Sequence, residues 1–301
     1  MGSLIPAWTD TDRSQFMSQS LVFRHGLLET GLFTDEALAR LLESHPDHLT
    51  DVNLYDIHED GTYRVRTGTR GGLSGDQLLA RVREGRLWIN LRHAHIRDGN
   101  GDSLVERFFG ELTDHNPGFR AFGLSPNLLI SAPQARVPYH ADTPGVVLIH
   151  LAGRKRIWIY PNSGKFLRDE AMERVALRET TEDLPYDPAW DADAVCYELE
   201  PGQAVAWPYN APHRVDNQGT FNVSLSCEFM TWAARLRHGS YYTNGTLRRR
   251  FGLSPKPVAE TGPAGRAARW ALSTVFKKLK VNRAAEARFE TEFNVAQGTP
   301  V

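Results

Sequence analysis

The sequence predicts a mainly β protein with a helical cover, and three observations carry that expectation. Between residues 118 and 232, short β-rich runs (Leu128 to Ile130, Val146 to Ile149, Arg156 to Tyr160, Phe221 to Phe229) are separated by Pro, Gly and Asn turns. Before them, apolar residues recur at helical rather than alternating spacing. After them comes a basic stretch with one broad apolar helical face. The expected organisation is therefore an N-terminal helical and mixed cover over 1–117, a sheet-rich core over 118–232 and a basic C-terminal helical extension over 233–301.

In chain order, residues 21 to 48 read as helical. Thr34 supplies a cap, Asp35 and Glu36 an acidic first turn, and Leu38, Leu41 and Leu42 an apolar face, with His45 and Pro46 ending the element. A second helix is expected from Ser74 to Gly85. A third runs from Ser103 to Asp114, with Leu104, Phe108 and Leu112 in register. The segment 162–201 is polar and acidic and reads as an excursion between strands that could carry specificity.

Composition narrows the class. The 301 residues are 41% hydrophobic and 24% charged, with 35 Lys and Arg against 36 Asp and Glu, the proportions of a water-soluble globular chain rather than a disordered, collagenous or membrane-spanning one. Cys196 and Cys227 are too few for a disulfide framework or a structural zinc site, so a reducing cytoplasm is expected. The N-terminal residues carry no export or lipidation signal, and the best apolar run, Gly145 to Gly153, is far shorter than the roughly 20 residues that span a bilayer.

Charge is uneven along the chain. Between Arg248 and Arg283 stand ten Lys and Arg against the single acid Glu260, so this segment carries +9 and the remainder −10. Within it Trp270, Leu272, Val275, Phe276 and Leu279 share a face beside Lys277, Lys278 and Lys280. Two readings stand for this helix. It closes the domain or forms a homodimer contact, or it offers a surface to an anionic or membrane-surface partner, which would make the protein peripheral at a membrane. Generic nucleic-acid binding is not expected, because only this segment is basic.

The chemistry lies in the core. His140 and Asp142 stand at i and i+2, so on a strand or its extended exit both point to one face. His213 arrives after the turn at Pro201 and Gly202, in the run Trp207 to Asn217. Two histidines and one carboxylate on one face, with other positions left open, suit a non-haem iron(II) oxygenase that must also bind a 2-oxo acid and O₂. The distal carboxylate of 2-oxoglutarate needs a cation in an apolar barrel. Lys155, at the start of the strand that follows the turn at Gly153, is the candidate. Alternation from His140 places Val146, Leu148 and His150 on the cavity side. The last strand alternates Asn222, Ser224, Ser226 and Glu228 against apolar residues, a polar face that is either solvated or turned to the cofactor. Asn127 and Tyr139 are further candidates for co-substrate contact.

This order of elements resembles the JmjC or cupin-like 2-oxoglutarate oxygenases: His140-x-Asp142, a hairpin ending at Gly153 and Lys155, a Pro after the strand, Pro201-Gly202 and Pro212-His213. The resemblance extends to the type of the asparaginyl hydroxylase acting on hypoxia-inducible factor. The likeness covers about residues 123 to 232 and resides in order and spacing. It implies a double-stranded β-helix (cupin or jelly-roll) barrel with N-terminal and C-terminal helical extensions. It also implies Fe(II) on His140, Asp142 and His213, 2-oxoglutarate held by Lys155, and O₂-dependent hydroxylation of a C–H bond. Two positions depart from that hydroxylase: Val137 replaces a Thr that helps hold 2-oxoglutarate, and Val146 replaces an Asn. The substrate class stays open among a peptide or protein, a small metabolite and an envelope glycolipid. So do two other functions, a cupin-fold metal-binding protein and a metal dioxygenase independent of 2-oxoglutarate.

Other apparent signals carry less. Asp98 to Asp102 imitates a calcium loop but lacks its Gly and terminal Glu. His93 and His95 have no third ligand, and Arg70 to Gly72 is too short for a phosphate loop.

Overall fold

Alternation and capping decide the elements of the cover. The computed structural model describes residues 2–57, 63–180, 184–282 and 291–297. Helix α1 (Asp10–Gln15) begins at a reciprocal Thr9 and Asp12 cap. Strand β1 (Leu21–Arg24) follows where the sequence suggested helix. Leu21 and Phe23 are buried while Arg24 is exposed, an alternation of period two, and the strand pairs with a later one. The helix expected over 21–48 thus contracts to α2 (Asp35–Ser44), with the Thr34 hydroxyl accepting from the Ala37 N–H at 3.3 Å.

Strands β2 (Thr50–Ile57) and β3 (Tyr63–Thr69) pair antiparallel. Helix α3 (Gly75–Glu84) starts at Ser74, whose cap with Gln77 closes in both directions at 3.2 and 3.0 Å. A Ser cap of this kind contributes about 1 kcal/mol. Strand β4 (Leu87–Leu91) and helix α4 (Leu104–His115) complete the cover, the latter burying Leu104, Phe108 and Leu112 as expected.

Eight strands make the core: β5 (Phe122–Ser131), β6 (Arg136–His140), β7 (Gly145–Ala152), β8 (Lys155–Ile159), β9 (Val195–Leu199), β10 (Gln203–Ala206), β11 (His213–Asn217) and β12 (Asn222–Met230). Helix α5 (Asp169–Ala176) lies in the excursion between β8 and β9. Beyond the core come α6 (Trp232–Phe251), α7 (Pro263–Lys278) and β13 (Thr291–Asn294). Arg283, the last of the ten C-terminal cations, lies outside the described residues.

The strands form two sheets. A small one has the order β6-β11-β8-β9; a large one runs β1-β10-β7-β12-β5-β4-β2-β3-β13. Between β5 and β12 the chain passes from sheet to sheet, so neighbours within a sheet are distant in sequence. Alternation assigns each face its contents. Val146 and Leu148 point between the sheets, against Ile157, Ile159, Val205 and Val215, whereas Val147, Ile149 and Leu151 face the other way into the core shared with the helices of the cover. Gly153, at φ +83°, makes the turn from β7 to β8; a side chain there would meet the Phe221 carbonyl at 2.2 Å.

Residues 162–201 add their own cluster. Tyr139, Tyr160, Phe166, Met172 and Leu177 pack with Tyr241 and Phe276 of the C-terminal helices. Asp191 accepts from the hydroxyls of Tyr160 and Tyr186 and pairs with Arg214, whose guanidinium lies 3.5 Å over the Trp158 ring.

Candidate metal centre and its cavity

His140 ends β6 and His213 begins β11, and the antiparallel register sets the two directly opposite each other. Their rings stand 4.2 Å apart. Asp142 lies two residues past His140, with Oδ1 at 3.6 Å from His140 Nε2 and Oδ2 at 3.4 Å from His213 Nε2. One ligand atom from each of the three falls within 4.8 Å of the others.

Each ring is fixed from behind. His140 Nδ1 donates to the Pro138 carbonyl at 2.8 Å and His213 Nδ1 to the Ala211 carbonyl at 3.1 Å. With the proton held on Nδ1, both Nε2 lone pairs face the carboxylate. Asn210, in the left-handed region at φ 59°, donates its side-chain amide to the Asp142 carbonyl at 2.7 Å and so ties the carboxylate's backbone to the turn before β11. The Trp207 ring covers His213 at 4.5 Å.

Burial pushes the Asp142 carboxyl up from its ordinary range, with the neighbouring His140 opposing that shift. Burial, helped by His140, holds His213 well below the usual histidine range and therefore neutral. Three donors, one buried and two half-buried, crowded at these distances are costly without a cation between them. Donors at about 2.1 Å from one ion and at right angles are about 3 Å apart. The donor set therefore fits a divalent metal held by two imidazoles and one carboxylate.

The triad opens on a cavity of about 600 Å³ between the sheets. Of the predicted contacts, Asn127, Leu148 and Lys155 line it; His150, Asn222 and Ser224 do not. Lys155 is buried, and desolvation brings its pKa down from 10.5 to about 7. Asn127 is committed on both sides of its amide, accepting from the His93 N–H at 3.3 Å and donating to Glu228 at 2.8 Å. His150 is fully buried, with Nδ1 at 3.0 Å from Ser224 Oγ and Nε2 at 2.9 Å from the Gly153 carbonyl, and burial together with Lys155 lowers its pKa to about 3. Asn222 donates to the Thr220 carbonyl at 2.6 Å. Tyr139 turns away from the cavity and donates to the Phe166 carbonyl at 2.9 Å.

Val137 and Val146 both line the cavity, and polar groups that sequence reading passed over stand there too. Asn217 sits opposite Lys155 in the β8–β11 register and donates to Ser131 Oγ at 2.9 Å. From the cover come Asp51, Asn53, Val65, Thr67, Trp88, Asn90 and Arg92, on β2, β3, β4 and just past β4. Arg92 Nε and Asn90 Nδ2 each lie 3.2 Å from an Asp51 oxygen. The pairing of β4 with β5, which sets Trp88 against Ser131 and Asn90 against Leu129, joins these strands to the core sheet, with β2 and β3 following beyond β4. Among the described residues, segment 162–201 contributes nothing to the lining. The Asp98 loop is the turn expected: Asp98 accepts from the N–H groups of Asn100 and Asp102 and pairs with Arg107.

No known family profile matches the chain, and no curated protein sequence does. Solved structures do. An X-ray structure of Escherichia coli YcfD superposes with a TM-score of 0.50 at 18% identity, covering 95% of this chain and 74% of that one. Another crystal structure of YcfD, described as an E. coli ribosomal oxygenase, gives 0.49 at 16% identity, covering 97% and 74%. A third, in complex with cobalt and 2-oxoglutarate, gives 0.46 at 17% identity, covering 92% and 70%. At this identity the likeness is one of fold: the chain has the sheet-rich architecture with several helices seen in YcfD, and in it a His-Asp-His cluster.

Proposed function

We propose that the chain is an Fe(II)- and 2-oxoglutarate-dependent oxygenase that hydroxylates a C–H bond. In this reading β5 to β12 form a double-stranded β-helix of the cupin or JmjC kind over 118–232, residues 1–117 are its cover and 233–301 its C-terminal extension. The observation that carries the proposal is the triad itself, two imidazoles with both Nδ1 protons pinned to backbone carbonyls and both Nε2 atoms facing one half-buried carboxylate.

Iron with 2-oxoglutarate and O₂ supplies oxidative decarboxylation of the co-substrate to succinate and CO₂, with one oxygen atom passing to the substrate C–H bond. The protein's part is positional. His140, Asp142 and His213 would hold the metal, with the cavity beside them open to co-substrate and O₂. Lys155 pairs in register with Asn217, four residues along β11 from His213, a separation of about 13 Å between backbone positions. A lysine side chain and a five-carbon dicarboxylate together fill that span. Val146, Leu148, Ile157 and Val215 keep the space between them dry, which strengthens the Lys155 contact with the distal carboxylate. YcfD's description as a ribosomal oxygenase keeps a protein substrate among the choices.

An anaerobic titration with Fe(II) and then 2-oxoglutarate tests this without knowledge of the substrate. The expected result is the visible charge-transfer band of a 2-oxo acid chelated to ferrous iron, absent from His140→Ala. Iron binding with no band would favour the second reading, a metal dioxygenase that does not use 2-oxoglutarate. Val137 and Val146 on the cavity wall are the observation in its favour.

A further inference from the structure

Away from the cavity, the outward side of α7 is apolar. Ala264, Ala268, Ala271, Leu272, Val275 and Leu279 recur at helical spacing and are all exposed, while Ser273 and Phe276 take the buried side. The face predicted from the sequence therefore splits. Phe276 packs inward and Trp270 rests edge-on against Trp232, but Val275 is 48% and Leu279 70% exposed. At the end of α6, Phe251 stacks on Phe276 at 6.1 Å and is itself 55% exposed. Single exposed aliphatics are ordinary; bulky ones gathered at one end of a helix pair form a patch that calls for a partner.

The charge around this patch says which partner. Arg248 and Arg249 are engaged by Glu170, Glu173 and Glu179, whereas Arg250, Lys278 and Lys280 form no ion pair among the described residues. The sequence from Thr261 to Asn282 contains no acidic residue. A second copy related by a two-fold axis would set these cations against themselves with nothing to neutralise them. An acidic lipid surface neutralises them, and the −10 carried by the rest of the chain is repelled from it, so the molecule would land with this end down.

We propose that the exposed end of the α6–α7 pair docks on an anionic bilayer. Leu272, Val275, Leu279 and Phe251 enter the headgroup region, and Arg250, Lys278 and Lys280 meet lipid phosphates. The large residues lie in the second half of α7 and only alanines in the first, so this half inserts the deeper.

The test is sedimentation of the full-length protein with two kinds of vesicle, phosphatidylcholine alone and phosphatidylcholine containing about one-third phosphatidylglycerol. The expected result is binding to the second and not the first, weakening as salt is raised. Lys278→Glu/Lys280→Glu, which touches no packed residue, should lower the partition coefficient about tenfold or more. Leu272→Asp/Val275→Asp/Leu279→Asp should abolish binding while the circular dichroism melt stays as in wild type. Wild type that remains in the supernatant with anionic vesicles, binds neutral ones equally, or proves to be a dimer that the triple variant splits would overturn the proposal.

Discussion

The two ends of the cavity are built on opposite plans. The inner end is made by strands of the core: His140 at the end of β6, Asp142 just past it and His213 at the start of β11, an apolar lining from β7, β8 and β11, and one buried cation, Lys155. The outer end is made by the cover, where β2, β3 and β4 extend the large sheet and present Asp51, Asn53, Thr67, Trp88 and Asn90, with Arg92 just beyond. Apolar side chains from β7, β8 and β11 line the inner end beside polar ones such as Asn217; the outer end is polar, with hydrogen bonds already made among its own members. Such a contrast suits a site in which chemistry is fixed and recognition is adjustable.

The largest effect expected from breaking this division is at the metal. His140→Ala should weaken Fe(II) binding more than the 10- to 100-fold typical of losing an outer contact, by about 1,000-fold, and remove turnover while the melting curve persists; calorimetric metal titration reads it. Next, Lys155→Ala should raise KM for 2-oxoglutarate about 100-fold or more, since it strands a buried carboxylate, and leave metal affinity unchanged. An unaltered KM would move that role to another side chain.

Lys155 also makes a prediction about the protein alone. Its folded pKa, about 7, lies below the unfolded value of 10.5, so between these values the unfolded chain binds the extra proton. The penalty of burying the charge is fully felt below about pH 7 and fades as pH rises toward 10.5. Stability should therefore rise through that window, by at most about 1.4 kcal/mol per pH unit. Denaturant titrations of wild type and Lys155→Met should differ in this slope; identical slopes would mean that the lysine is already paired or hydrated. The smallest effect belongs to the outer end. Trp88→Ala should leave the affinities for Fe(II) and 2-oxoglutarate within about threefold of wild type while lowering kcat/KM for the hydroxylated substrate. If it disturbs 2-oxoglutarate as much as Lys155→Ala does, the two ends are one site.

How much of this was legible in the sequence follows from how far apart the parts lie. His140 and Asp142 announce themselves by an i, i+2 spacing, and Lys155 by its place after a glycine turn; both are local signals. Helices α2, α3 and α4 were legible because their caps and apolar faces sit within a few turns. Leu21 to Arg24 was misread because a four-residue strand borrows its partner, β10, from far down the chain. His150, Ser224 and Asn222 followed the alternation correctly but stand past the end of the lining, a matter of depth that period two does not encode. The outer wall was not legible at all: Trp88 and Asn90 reach the cavity through a sheet register, and no pattern within β4 marks it.

One feature of that wall bears on how the molecule is made. Strand β3, which contributes Val65 and Thr67 to the cavity, is flanked on its far side by β13, paired in parallel through Thr291, Phe293 and Asn294. Phe293 lies so close over Gly68 that a methyl group there would sit 2.3 Å from its ring. During synthesis the core strands β5 to β12 emerge and can pair well before this segment does. Until then β3 is an open edge, able to recruit a stray strand. This wall is thus finished last, after His140, Asp142 and His213 have been brought together, and a chain released early would hold that cluster beside an unsealed sheet edge.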